Sequence, residues 1–323
     1  MWAYTIRRLL LMIPTILGIM LITFILFGIV AKDPALQYAG RKATPQVLAS
    51  VRHEMGLDKP KWLNIGGFEK TRHFSALFDS QFMDILLFRF SDSMEYQESV
   101  WSLFARKAPV SLAIQLPAFI IELGLQLGLA MICASLRNRW QDRTLTILAV
   151  AGMSVPSLCI YMAFQDWLGA QLRIFPVAGW GAGWYAIHFA ALPILATVIG
   201  SLGGGVRFFR TIALDEIYSD YVRTGRAKGV SEGDVLLVHV FRNLLVPVIT
   251  VTVTTLPLLF TGALVLEIIF QIPGLGNLMY EAIFNNDRPV IMFLVYIISI
   301  IYCLALVATD ICYALADPRV RLQ

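Results

Sequence analysis

Charge is what this 323-residue chain has least of: 15% of its residues are Asp, Glu, Lys or Arg, against 58% that are hydrophobic. At a mean hydropathy of +0.70 there is too little polar material to cover a water-soluble domain, so the composition is that of an integral membrane protein. The four cysteines, Cys133, Cys159, Cys303 and Cys312, lie in apolar segments without CxxC spacing, which argues against a redox pair or a metal site and for small buried hydrophobes. The four histidines, His53, His73, His188 and His239, are far apart in sequence and HExxH does not occur, so no metal or catalytic constellation is expected. GxxxxGK[ST] is also missing, and without that phosphate cradle the chain is not expected to hydrolyse ATP itself. Lys and Arg are scattered along loops and form no single basic face, so nucleic acid is not an expected partner. No repeat of 20 to 50 residues and no low-complexity tract is present.

What the chain does have is long apolar runs. Leu9 to Val30 holds 22 residues without a charge, enough to cross a bilayer core as a helix. The run is longer than a signal-peptide core and no small-residue cleavage site follows, which favours a retained helix. Further spans are expected over Val110 to Ala134, Thr144 to Leu172, Ile187 to Phe208, Leu244 to Ile269 and Val290 to Ala316. Six spans place both termini on one side. Loops on that side carry Arg7, Arg8, Arg137, Arg139, Arg143, Arg207, Arg210, Arg223, Arg226, Lys228, Arg242, Arg319 and Arg321, whereas the two short loops opposite have one basic residue each, Arg173 and Arg288. By the positive-inside rule both termini are cytoplasmic, with Trp140 and Tyr313 at the inner interface and Trp180, Trp184 and Tyr185 at the outer one. The expected organisation is a first helix over 1–30, an extracytoplasmic segment over 31–108, a five-helix core over 109–316 with a cytoplasmic loop at 209–243, and a tail over 317–323.

The segment 31–108 carries 11 Lys and Arg against 9 Asp and Glu, but long loops escape the charge rule. Within it, "TPQVLASVRHEMGL" offers Thr44 as N-cap, Pro45 at the first helical position, apolar residues at helical spacing and a stop at Gly56. It reads as an amphipathic cap on the bundle, or as a docking surface for an external partner.

Polar residues concentrate in "SDYVRTGRAKGVSEGD", Ser219 to Asp234. From Leu214 to Gly229, apolar residues and glycines recur every three or four positions while Asp215, Ser219, Asp220, Arg223 and Arg226 fall mainly elsewhere, which predicts an amphipathic helix ending at Gly229. Ser231 then caps the next helix, with Asp234 as a capping-box-like partner. Gly225 and Gly229, four apart, predict a shallow notch for another surface. The plainer reading is a connector resting in the headgroups.

The run "DYVRTGRAKG" followed by "HVFRNLLVPVIT" resembles the cytoplasmic signature of ABC importer permeases of the dipeptide, oligopeptide and nickel family. "RRLLLMIPTILGI", "DPALQYAGRKATPQVLASVRHEMGLDKP", "GMSVPSLCIYM", "FPVAGW", "EIIFQIPGLGNLMYEAIFNNDRPV" and "YALADPRVR" match it in order over nearly the whole chain. Arg223, Thr224 and Gly225 stand where the general importer loop has Glu-Ala-Ala, and the peptide branch commonly has Arg-Thr-Ala. The "FRFSDSMEYQ" region replaces a compact Gly-Asp-Leu-Gly segment, and Asp287 and Arg288 stand where Asp-Tyr is usual. The resemblance implies an all-α, six-span type I importer permease of the bacterial inner membrane, binding no cofactor itself. Its implied partners are a homologous second permease subunit, two ATPase subunits that use ATP and Mg, and an extracytoplasmic solute-binding protein. It makes Asp220, Tyr221, Arg223, Thr224, Gly225, Arg226, Ala227, Lys228 and Gly229 the ATPase-coupling helix, and Pro273, Gly274 and Gly276 an outer loop or gate. Peptides lead as cargo, with nickel or another small solute as alternatives.

Acids inside spans often mark pathways. Glu122 lies mid-span with Gln115 and Gln126 on the same helix, a stripe expected to face the translocation route, and Glu267 is expected at the outer mouth. Each reads equally as a satisfied packing residue, as does His239. Asp166 and Asp310 lie nearer span ends. A secondary transporter would need inverted halves and several midplane acids, for which the chain offers one acid and no visible repeat; a membrane enzyme would act without partners.

Overall fold

The computed structural model describes residues 2–30, 35–36, 44–54, 57–64, 78–261 and 263–316. Among them every regular element is helical. Helix α1 (Trp2–Phe24) runs into a π-helical turn (Ile25–Val30); α2 (Pro45–Glu54) and α3 (Gln81–Leu86) are short, and α4 (Val100–Ser135) is long. Then come α5 (Trp140–Ser154), α6 (Ser157–Phe164) with a π turn (Gln165–Gln171), α7 (Tyr185–Ile217), α8 (Asp220–Ala227), α9 (Phe241–Thr261), α10 (Leu264–Ile269), α11 (Leu275–Phe284) and α12 (Arg288–Ala316). Among the described residues five stretches are long and apolar enough to span: Leu10–Val30, Val100–Ser135, Tyr185–Ile217, Glu232–Pro257 and Arg288–Thr309. The pair Trp140–Ser154 and Ser157–Gln171, bent by 94°, makes a sixth if counted as one span.

Three expectations need correction. The third span is not one helix: Pro156 lacks an N–H and its ring disfavours helical backbone in the residue before it, so Val155 is extended at φ −92°, ψ 122°. The fifth span ends at Thr261, because Ala263 leaves the helical region (φ −95°, ψ 87°) and Leu264–Ile269 forms a separate helix. The amphipathic helix expected from Leu214 to Gly229 is split at Ser219, whose backbone is extended (φ −62°, ψ 151°) and whose hydroxyl donates back to the Glu216 carbonyl at 2.6 Å. Leu214 and Ile217 therefore belong to the end of α7.

The chain forms two compact units, residues 1–106 with 278–307 and residues 107–277 with 308–323. The described residues of the segment up to Arg106 thus share a unit with the first span and much of the last. One core cluster of this unit is Met20, Phe24, Ile85, Met292 and Tyr296, with the Tyr296 hydroxyl donating to the Met20 carbonyl at 3.1 Å. Thr44 caps α2 as expected, its Oγ1 accepting from Val47 N at 3.4 Å; the Gly56 stop lies outside the described residues. Gln81 Nε2 donates to the Leu57 and Lys59 carbonyls at 3.0 and 2.8 Å, while Lys59 Nζ reaches Asp79 at 3.0 Å and Asp84 at 2.7 Å. Those two carboxylates, Asp84 first, hold the Lys59 ammonium above its ordinary pKa. Asp287 ties down the 93–96 turn: its Oδ2 accepts from Ser93 Oγ at 2.5 Å and Glu95 N at 3.3 Å. Tyr96 donates to Glu281, and burial, then that carboxylate, push the phenol upward.

In the second unit one core gathers Ile114, Ala190, Leu192, Ala196, Leu266, Phe270 and Ile272, and another Ala134, Ala213, Ile217, Val222, Val235, Val240 and Leu244. Helices α5 and α7 approach closely at Gly203, where a Cβ would lie 2.3 Å from the Ala149 carbonyl oxygen; small residues permit such contacts between spans. Near one end of that pair, Arg210 grips the buried Asp142 with two bonds of 2.7 and 2.8 Å, a bidentate pair whose breakage costs about 3–5 kcal/mol. Trp140, Trp184 and Tyr185 are exposed, as interfacial aromatics are. Trp180 instead packs against the Ile114 core, and the Tyr313 side chain and the tail lie outside the described residues.

Candidate functional site

Helix α8 is anchored on one side and bare on the other. Val222 and Gly225 are buried, Val222 within the core formed by the ends of α4 and α7 and the start of the 232–244 segment. Asp220, Tyr221, Arg223, Thr224, Arg226, Ala227 and Lys228 are all exposed. The helix closes in a Schellman cap: Val230 N donates to the Gly225 carbonyl at 3.2 Å and Gly229 N to the Arg226 carbonyl at 3.0 Å. Gly229 takes the left-handed position at φ +81°, where a Cβ would meet nothing within 4 Å. The two glycines do not form one open notch. Gly225 faces inward and lets α8 settle onto the core, while Gly229 turns the chain.

Beyond the turn, Ser231 Oγ accepts from Asp234 N at 3.2 Å and donates to the Asp234 carboxylate at 2.7 Å. Arg226 forms a bidentate pair with Glu232 at 2.8 and 3.0 Å, and Asn243 Nδ2 reaches Glu216 at 3.2 Å and the Tyr221 hydroxyl at 2.5 Å. Tyr221 also donates to Glu216; burial, then this acceptor, raise the phenol. The polar residues of the loop thus brace α8 at both ends and leave its middle exposed.

Residues 263–277 are built in the opposite way. Glu267 is 1% exposed, so it does not line an open mouth. Its Oε1 accepts from Ser111 Oγ at 2.6 Å and its Oε2 from Asn277 N at 2.9 Å, while Ser111 Oγ accepts from Leu275 N at 2.7 Å. A buried carboxylate needs such donors. Gly274 and Gly276 are dictated by closeness: a Cβ on Gly274 would lie 2.4 Å from Ser111 Oγ and 2.5 Å from Glu267 Oε2, and one on Gly276 2.7 Å from Leu264 Cα. Pro273 is half-buried.

The expected polar stripe on α4 divides. Gln115 is half-buried. Glu122 accepts from Ser201 Oγ at 2.7 Å, and Gln126, 6% exposed, donates to the Ser201 carbonyl at 3.3 Å. The Gln126 carboxamide fills the space above Gly205, where a Cβ would lie 1.9 Å from its Cδ. Glu122 and Gln126 therefore join α4 to α7, and in this conformation Gln126 is not on an open channel. Asp166 is exposed and accepts from Gln171 at 2.8 Å; the side chains of His239 and Asp310 lie outside the described residues.

Residues 126–322 match the family described as "Binding-protein-dependent transport system inner membrane component", and residues 1–115 match that family's N-terminal part. The chain belongs to this family. A peptide transport system permease protein of Brucella abortus is 32% identical over 327 residues, covering 99% of each chain. The dipeptide transport system permease protein DppB of Lactococcus lactis is 33% identical over 322 residues, and the glutathione transport system permease protein GsiC of Salmonella typhi 32% over 322, each again covering 99% of both chains. The protein is thus a multi-pass inner-membrane component of a binding-protein-dependent transport system, a permease family distinct from the ATPases that drive such systems. Among the described residues no group of three or more His, Cys, Asp or Glu could hold a metal ion.

Sequence reasoning missed Ser111, Gln271, Glu216 and Asn243. Ser111 is a lone hydroxyl at the head of an apolar run, and its partner Glu267 lies 156 positions away. Glu216 and Asn243 were not singled out because the bond between them joins residues 27 apart.

Proposed function

We propose that this permease component forms half of the translocation path of an ATP-driven importer of di- and oligopeptides. It pairs with a homologous permease subunit, two ATPase subunits that bind ATP and Mg, and an extracytoplasmic solute-binding protein. Both termini face the cytoplasm, so the loop 209–243 and α8 lie on the ATPase side. The observation that carries this reading is the exposed face of α8 on a buried seat: Arg223, Thr224, Ala227 and Lys228 are free of the core that holds Val222 and Gly225. A short helix so anchored transmits a push to the ends of α4, α7 and α9 without melting. Nucleotide-driven closure of the ATPases then shifts the spans between two packings. Peptide cargo is supported by the names of the Brucella and Lactococcus relatives.

The test is Arg223→Glu in the reconstituted complex with its ATPases and loaded binding protein. Arg223 is exposed, so the thermal midpoint should correspond to a change within about 0.5 kcal/mol. Peptide uptake should fall about tenfold or more, as expected for a reversed charge at an interface, while ATPase activity uncouples from it. Unimpaired uptake would refute the seat on the ATPase. Uptake of nickel without competition from a dipeptide would refute the cargo alone.

A further inference from the structure

The first unit contains a cavity of about 400 Å³ that no part of the transport reading uses. Its walls include Phe24 and Phe27 at the end of the first span and Met292 in the opening turns of the last. The C-terminal end of the stretch Leu10–Val30 and the N-terminal end of Arg288–Thr309 thus meet at one hollow, at the edge of the apolar layer. Tyr296 and Met20, bonded to each other, lie in the same core as Phe24 and Met292. The rim is different in kind: Lys59, Arg89 and Arg288 line it against one carboxylate, Asp84.

Lys59 is held by Asp84 and Asp79. Arg89 is exposed and makes no ion pair among the described residues. Its backbone is fixed nonetheless. Helix α3 ends in a Schellman cap with Phe88 left-handed at φ 56°, Phe88 N on the Ile85 carbonyl at 3.0 Å and Arg89 N on the Asp84 carbonyl at 2.7 Å. A positioned guanidinium at a membrane boundary suits an oxyanion, which it can grip with two bonds. Beside Phe27 on the π turn, Leu26, Ile29 and Val30 are 51%, 38% and 71% exposed, so apolar surface suited to lipid adjoins the cavity.

We propose that this cavity is a site for an anionic phospholipid. Its phosphate sits at the Arg89 edge, and its glycerol and first acyl carbons rest on Phe24, Phe27 and Met292. A peptide would find the cationic rim, but the apolar floor is built from the two spanning stretches, whose ordinary neighbour is lipid. The ligand therefore belongs to the membrane, and the site would fix the external segment to the ends of the first and last spans.

The full chain, in nanodiscs of zwitterionic phosphatidylcholine, is exposed to trace photoactivatable phosphatidylglycerol or photoactivatable phosphatidylcholine, and labelled peptides are mapped by mass spectrometry. Labelling of 24–28 and 292 by the phosphatidylglycerol probe should exceed that by the phosphatidylcholine probe. Arg89→Glu should cut the excess by about tenfold, the loss of a charge-assisted bond, and Arg89→Lys should retain much of it. Ser91→Trp, at an exposed lining position, should exclude both probes while the thermal midpoint stays put. Equal labelling by the two lipids, an excess indifferent to Arg89→Glu, or displacement of the lipid by a photoactivatable dipeptide would each overturn the proposal.

Discussion

Two helix ends in the second unit use the same backbone device with opposite chemistry. At the end of α8 the left-handed residue is Gly229; at the end of α10 it is Gln271, at φ 52°. Both close with paired bonds, Val230 N to Gly225 O and Gly229 N to Arg226 O in one, Ile272 N to Glu267 O at 2.8 Å and Gln271 N to Ile268 O at 3.2 Å in the other. A side chain in this region costs roughly 1 kcal/mol. Gly229 itself is exposed and a Cβ there would meet nothing within 4 Å, so no contact of its own offsets that cost, and glycine removes it. Around α10, the Ser111–Glu267–Asn277 bonds and the close approaches at Gly274 and Gly276 hold the turn so firmly that glutamine is tolerated. One cap ends an exposed helix and the other is part of a buried lock.

Breaking the lock should produce the largest effect. Gly274→Val drives a branched side chain into Ser111 and Glu267 and should lower stability by about 3 kcal/mol, seen as a fall in the thermal midpoint and in folded yield from detergent. A variant as stable as the parent would show that this turn is not held in place. Next comes Glu267→Ala, which strands the Ser111 hydroxyl and the Asn277 N–H at about 2 kcal/mol. Glu267→Gln keeps an acceptor oxygen and should recover about half of that, measured by the same unfolding assay.

The smallest effects sharpen the comparison of the caps. Gly229→Ala should cost about 1 kcal/mol, from backbone strain alone because the space is empty. Gln271→Gly should change stability by less than about 1 kcal/mol, relief of strain being offset by a freer unfolded chain. Equal and opposite shifts in the unfolding midpoints would mean that the surroundings of the two caps do not matter.

These differences mark where sequence reading works. Gly229, Ser231 and Thr44 were legible because caps are local: glycine removes the Cβ penalty and a hydroxyl reaches a nearby N–H. Most apolar runs were legible for the same reason, as length and hydropathy are properties of a segment. Gln271 gave no signal, since nothing in "FQIPG" announces a left-handed glutamine. Glu267 was legible as unusual but not as buried. Gln126 looked like part of a polar stripe until Gly205 opened space for it on α7. The break before Pro156 was written in "SVPS", though the apolar length on both sides concealed it.

By itself, the sequence determined that this is a membrane protein of several spans, that a polar helix ends at Gly229, and that the chain resembles one permease family throughout. Tertiary structure decided which polar groups are buried and which glycine faces inward, because burying a carboxylate or amide requires donors and space from segments tens to more than a hundred residues away. Hydropathy and spacing describe one segment at a time, and such partners meet only when the helices pack.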